Sequence, residues 1–191
     1  MRLHRRSLSL LLATVFLAAP ARAEAAIDQL MQMLARTTES HASFTEQKTL
    51  AMLTRPLNAT GRLSYRRPGH LEKITLEPQA ESLVVDGNRL TLTEQDAAPR
   101  VIDLDGEPAI RALVDAIRGT LSGDLAALRR SYTVTMEGSV SNWRLTLVPT
   151  DPRVAQLIVR TTIEGAGTAL HLVHTTQANG DEMRMTISPA P

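Results

Sequence analysis

Between Leu57 and Arg66 the chain alternates Leu57, Ala59, Gly61, Leu63 and Tyr65 with Asn58, Thr60, Arg62, Ser64 and Arg66. A period of two puts one set on each face of a β-strand. The alternation returns in short runs: Ile74 and Leu76, Leu90 and Leu92, Ile102 and Leu104, then Tyr132 to Met136, Trp143 to Leu147, Leu157 to Ile163, Leu170 and Leu172, and Met183 to Ile187. Turn-forming residues separate many of them: Asp86-Gly87-Asn88, Gly138 to Asn142, Gly165-Ala166-Gly167 and Asn179-Gly180-Asp181. Such residues close tight hairpins, so about ten or eleven strands are predicted, each paired with its sequence neighbour.

Two segments repeat at helical spacing instead. The first carries Ile27, Leu30, Met31 and Leu34; the second carries Ile110, Leu113, Val114 and Ile117. Both are stripes at i, i+3, i+4 and i+7, the mark of a helix with one apolar face. Pro108 opens the second and Gly119 is read as its end, with a further short turn of helix around Leu125 and Leu128. Strands that are apolar on one side suit an antiparallel meander, and a sheet this wide curls. Its concave face must be covered by itself or by the two helices. The expected fold is mainly β with α: an incomplete, half-open antiparallel barrel of about 10–11 strands with helices covering the concave face. Periodicity alone does not separate a barrel with a cavity from one packed solid.

The N-terminus has the three parts of an export signal. Arg2, His4, Arg5 and Arg6 are basic, Leu8 to Ala19 is apolar, and Ala21-Arg22-Ala23 is a small-x-small cleavage site. Residues 1–23 are therefore expected to be removed, leaving residues 24–191 as a single domain beginning at Glu24. Without cysteine, disulfide frameworks, thiol catalysis, thiolate metal sites and a lipid-modified N-terminal cysteine are all excluded. A soluble mature protein with no stable membrane anchor is expected, with the periplasm of a Gram-negative cell as its compartment. Arg2, Arg5, Arg6 and Arg22 leave with the signal, so the 21 basic residues fall to 17 against 20 acidic ones. That balance, with no basic cluster interleaved with aromatics, speaks against nucleic acid.

Chemistry is sparse. His171 and His174 resemble a metal pair, but positions three apart on a strand face opposite ways unless a bulge intervenes. His41 and His70 lie beside strand starts without partners of catalytic spacing, and Glu72 and Glu81 have no paired carboxylate. No nucleophile elbow, phosphate loop or dinucleotide motif is present. No cofactor, no metal and no enzymatic activity are expected. Arg67 continues the parity of Leu63 and Tyr65 just before Pro68. Two readings stand: its guanidinium reaches the cavity mouth and finds carbonyls, a carboxylate or a ligand headgroup, or the strand ends at Arg66 and Arg67 faces solvent.

An N-terminal helix followed by Ala42-Ser43-Phe44-Thr45-Glu46-Gln47, Gly61-Arg62-Leu63, Arg66-Arg67-Pro68-Gly69 and Leu83-Val84-Val85-Asp86-Gly87 resembles the LolA-type periplasmic lipoprotein carriers. The resemblance runs in order through most of residues 24–191. It implies an incomplete barrel whose helical lid closes an apolar cavity for acyl chains. It also implies that Arg67, before the proline, holds the lid by hydrogen bonds until cargo displaces them. Two features depart from the family pattern. The chain has one Trp and two Phe, with Phe16 in the signal, and Lys73 stands where an aromatic is common. A lining of Leu, Ile, Val and Met suits chains of looser shape, as in a divergent branch handling aryl-polyene or other specialised lipids.

The residues expected to bind lipid are Leu63, Tyr65, Ile74, Leu76, Leu90 and Leu92 on strands, Ile110, Leu113, Val114 and Ile117 on the second helix, and Trp143 and Leu145. The expected function is that of a carrier or chaperone, expected to be a monomer, taking lipid or lipoprotein acyl chains from an inner-membrane donor toward an outer-membrane acceptor. A non-transporting lipid-sensing or protein-interaction module of the envelope is the alternative, and a lipid-modifying enzyme using His171 or His174 is a third, weaker one.

Overall fold

The computed structural model describes residues 18–189. The basic start and most of the apolar run of the expected signal lie outside the described residues. The expected cleavage point before Glu24 falls inside the first described helix, α1 (Ala18–Leu34). No described helix is long and apolar enough to cross a membrane.

After α1 come six strands, β1 (Glu39–Thr49), β2 (Leu57–Arg66), β3 (His70–Glu77), β4 (Glu81–Asp86), β5 (Arg89–Glu94) and β6 (Arg100–Asp103). A short 3-10 turn at Leu104–Gly106 leads into α2 (Pro108–Ser122) and α3 (Leu125–Ser131). Then follow β7 (Tyr132–Ser139), β8 (Asn142–Pro149), the single-turn α4 (Pro152–Ala155), β9 (Ile158–Ala166), β10 (Ala169–Gln177) and β11 (Glu182–Pro189). All 11 strands form one antiparallel sheet in the order β6-β5-β4-β3-β2-β1-β11-β10-β9-β8-β7. Nearly every strand pairs with its sequence neighbour, as the hairpin turns require. The central β1–β11 pair joins the two halves, and β6 and β7 are the free edges, so the barrel is open.

α1 buries the stripe read from its sequence: Ile27, Leu30, Met31 and Leu34 are all in the core. They pack with Trp143, Leu145, Leu147, Ile163, Val173 and Leu128 in the larger of two apolar clusters. The smaller cluster is Val85, Leu90, Leu104 and Val114, with Leu71, Leu83, Leu92, Ile102 and Ile110 against it. α2 contributes to both. Glu24 on α1 pairs with Arg129 on α3 at 2.7 Å, and that hydrogen bond holds the Glu24 carboxyl below its usual range.

α2 does not stop at Gly119. It runs one turn further and ends at Gly123, whose φ of 66° is left-handed and whose N–H caps the carbonyls of Gly119 and Thr120. Gly119 is a glycine for a different reason: a Cβ there would sit 2.7 Å from the Leu128 side chain. The absent side chain lets α3 fold back against α2. A second departure concerns β9, where a bulge opposite Thr176 and Gln177 shifts the parity. Ile158 is buried while Leu157 and Val159 are exposed.

Gly123 also fits closely under α1, since a Cβ there would lie 2.2 Å from the Met31 carbonyl oxygen. Gly123→Ala combines a left-handed backbone with a backbone clash and is expected to destabilise by more than about 1 kcal/mol. Equilibrium urea unfolding measures this, with Gly87→Ala as a comparison because its position is left-handed but open.

Candidate functional site

The concave face of the sheet reads as rows across β1 to β5. Ser40, Tyr65, Leu71, Val85 and Leu90 form the row nearest the helix ends; Ala42, Leu63, Lys73, Leu83 and Leu92 form the next. Above these rows α2 presents two kinds of side chain. Ala112, Ala116, Gly119 and Thr120 are small and fully buried, so they draw the helix close to the larger core. Ile110, Leu113, Ile117 and Leu121 are long, lie over the rows just named, and remain only half-buried. Between them and the sheet is a cavity of about 310 Å³, at the lower end of the ~300–1,000 Å³ usual for ligand pockets. Val173, Met183, Met185 and Ile187 close it from β10 and β11.

Of the residues expected to line it, Leu63, Tyr65, Leu90, Ile110, Leu113, Val114 and Ile117 do. Ile74 and Leu76 do not. The β2–β3 hairpin pairs Tyr65 with Leu71 and Leu63 with Lys73, so odd-numbered residues of β3 face inward and Ile74 and Leu76 face out; Leu76 is 50% exposed. Leu92 is on the inner face opposite Leu83 but packs into the smaller cluster. Trp143 and Leu145 are core residues beneath the helices and leave no surface to the cavity. The Trp143 indole N–H donates to the Gly167 carbonyl at 2.9 Å, and its ring lies where a side chain at Gly165 would be.

Leu71, Leu83, Val85, Leu121 and the methionines of β11 line the cavity without having been singled out. For β3 and β4 the signal was available: a hairpin's register fixes which residues share a face, whatever their hydropathy. Tyr65 is buried and its hydroxyl has no partner among the described residues.

Arg67 follows the end of β2 at the exposed rim of the cavity. Its guanidinium donates to the carbonyl of Ala35, just past α1, and to that of Ser122 at 2.8 Å, the last residue of α2. Both helices end in unpaired carbonyls and a negative dipole end, and one cation satisfies both. Arg118 makes a second tether, donating to Gly69 at 3.1 Å and to Gly87 at 3.0 Å in the two hairpin turns below α2. Gly69 leaves room for it, since a Cβ there would lie 2.8 Å from the arginine. On its other side α2 is held by Tyr132, whose buried hydroxyl donates to the Ala112 carbonyl. Burial, and then Asp115, push that phenol's pKa well above its usual value.

His171 and His174 both lie on β10. A register shift does fall between Leu170 and Leu172, at His171, but His174 instead lies 3.4 Å from Glu182. No group of three potential metal ligands exists among the described residues.

An open antiparallel sheet curled around an apolar cavity, with an amphipathic helix tethered over it, defines a half-barrel with a helical lid. Residues 18–190 match the family model described as outer membrane lipoprotein carrier protein LolA-like, and the chain belongs to that family. It is 28% identical over 129 residues to the outer-membrane lipoprotein carrier protein of Pseudomonas putida (strain W619). The match spans 65% of this chain and 57% of that protein. Among solved structures, the LolA superfamily protein NE2245 from Nitrosomonas europaea is 9% identical, covers 87% of this chain and 91% of its own, and has a TM-score of 0.46. A putative outer membrane lipoprotein-sorting protein domain from Vibrio parahaemolyticus gives 12%, 87%, 91% and 0.49.

Arg67→Ala removes both bonds that join the ends of α1 and α2. Hydrogen exchange at the amides of the last turn of α2 is expected to quicken about tenfold, for a loss of about 1.4 kcal/mol at an exposed rim. Exchange in β8 and β9 is expected to stay as it was, and an unchanged α2 would show that the arginine holds nothing.

Proposed function

We propose that this chain is a periplasmic carrier that holds acyl chains in the cavity beneath α2 and moves them toward the outer membrane. The observation that supports this is the row of long apolar side chains on α2, half-buried and facing an apolar floor that no side chain fills. Each acyl methylene moved from water into such a space contributes about 0.8 kcal/mol, offset by the costs of association and of ordering the chain. The cavity is narrow with α2 in place, so cargo bearing several chains requires α2 to move outward. The two arginine tethers are the contacts such a movement would break, and binding energy would supply the difference between the two states. The role is one of binding and release, with an inner-membrane donor, an outer-membrane acceptor and no catalytic step. An export signal over residues 1–23 would deliver the chain to that compartment.

Leu113→Asp or Ile117→Asp places a carboxylate on the cavity side of a half-buried helix position. Each is expected to abolish uptake of a fluorescent fatty acid with little change in thermal midpoint, because the new charge still reaches water. Native mass of the protein purified from the periplasm, before and after organic extraction, identifies any resident lipid. Transfer of labelled lipid between vesicles is expected to rise in proportion to protein concentration; binding without transfer would mark a sensor or interaction module of the envelope, and retained binding in both Asp variants would remove the cavity from the account.

A further inference from the structure

The concave face changes character along its strands. Beyond the two apolar rows, the next row across the sheet is Phe44, Gly61, Thr75, Glu81 and Glu94, and the one after it begins with Glu46 and Ala59. The end of the cavity remote from Arg67 is therefore charged. Glu46 is 2% exposed and takes two lysines: Lys73 at 2.8 Å, itself 18% exposed, and Lys48 at 3.2 Å, 47% exposed. Lys73 lies on β3 and crosses β2 to reach Glu46, which the small residues Ala59 and Gly61 permit. A Cβ on Gly61 would fall 2.7 Å from the Phe44 ring, the same ring over which the Lys73 ammonium sits at 5.0 Å.

Glu46, Lys48 and Lys73 line the apolar cavity on one side and, on the other, a polar recess of about 160 Å³. Glu81 and Glu94 border that recess and stand directly opposite each other on β4 and β5. Like charges so placed repel, and neither carboxylate takes part in an ion pair among the described residues. The recess thus offers two ammonium groups held around one buried carboxylate, and two carboxylates with no cation between them. A purely anionic group would be drawn to the lysines and repelled by the glutamates; a cation alone would meet the reverse.

We propose that this recess is the headgroup site of the cavity and takes a zwitterionic phosphate–ammonium head. The phosphate lies on Lys48 and Lys73, the ammonium lies between Glu81 and Glu94, and the acyl chain runs beneath α2 toward Tyr65. This deepens the carrier reading and rests on it. Charge-assisted hydrogen bonds at a partly desolvated site carry the preference.

Four ligands of one acyl chain length test it by calorimetric titration: lysophosphatidylethanolamine, lysophosphatidylglycerol, lysophosphatidic acid and monoacylglycerol. The zwitterion is expected to bind about tenfold tighter than the neutral monoacylglycerol, the equivalent of about 1.4 kcal/mol, and tighter than either anion. Lys48→Gln, which leaves the Lys73–Glu46 pair intact, is expected to reduce the margin over monoacylglycerol severalfold. Glu46→Gln with Lys73→Gln, which removes both charges of the buried pair together, provides a second variant on the phosphate side. Glu81→Gln with Glu94→Gln is expected to erase the margin over the two anions. Each margin is read as a ratio to monoacylglycerol in the same variant, and the thermal midpoint reports that each variant is folded. Equal affinity for all four ligands, an anion binding tightest, or a preference lost in Tyr65→Phe but kept in the charge variants would overturn the proposal. Failure of all four to bind the unmodified protein would instead overturn the acyl-binding reading itself.

Discussion

A sheet of 11 antiparallel strands with one apolar face creates more surface to cover than two amphipathic helices possess. The alternation along each strand commits that face to the inside, and hydrogen bonding between sequence neighbours makes the sheet continuous from edge to edge. The shortage of cover is resolved unevenly. α1, α3 and the small residues of α2 pack tightly over β7 to β10, where Trp143, Leu145 and Ile163 are wholly buried. Over β1 to β5 only one side of α2 is left to form a roof, and the remaining volume is the cavity.

That division is written into α2. Small residues on one side bring the helix against the packed core, and long ones on the other extend over a floor they do not fill. Because the roof gains little from packing on its cavity side, polar contacts at its rim hold it. Arg67 gathers the carbonyl ends of two helices, and Arg118 ties α2 to the β2–β3 and β4–β5 turns. Gly123 makes the first of these possible by ending α2 in a left-handed turn pressed against α1. Surface hydrogen bonds of this kind are individually worth about 1 kcal/mol, enough together to fix the position of α2.

The geometry places a cavity under α2, and the side chains around it give it a polarity of its own. The lining is mostly Leu, Ile, Val and Met, with Tyr65 its one aromatic ring among the described residues. The charged end, centred on the buried Glu46 and Lys73, breaks the apolar continuity expected of a container for hydrocarbon alone. Burying an ion pair costs desolvation that its mutual attraction only partly offsets, so its place in the wall of the cavity favours a role toward what the cavity holds.

The strands, the two helical stripes, the open barrel and seven of the expected lining residues were legible in sequence because each depends on local periodicity: Leu63 and Tyr65 on β2, Ile110, Leu113, Val114 and Ile117 on α2, and Leu90 on β5. For Arg67 the sequence left two readings, a guanidinium at the cavity mouth or one facing solvent, and its partners, Ala35 and Ser122, belong to elements far away in the chain. Tertiary structure alone decided the rest. Ile74 and Leu76 are apolar yet face outward, because the β2–β3 register and not their hydropathy sets the parity of β3. Gly119 has the composition of a helix end but serves a close contact with Leu128, and Gly123 takes the cap. Trp143 and Leu145 have the right parity for the concave face but lie under the packed half of it. Hydropathy along a strand states which residues avoid water; which of them meet another side chain and which meet an empty space depends on where distant helices come to rest.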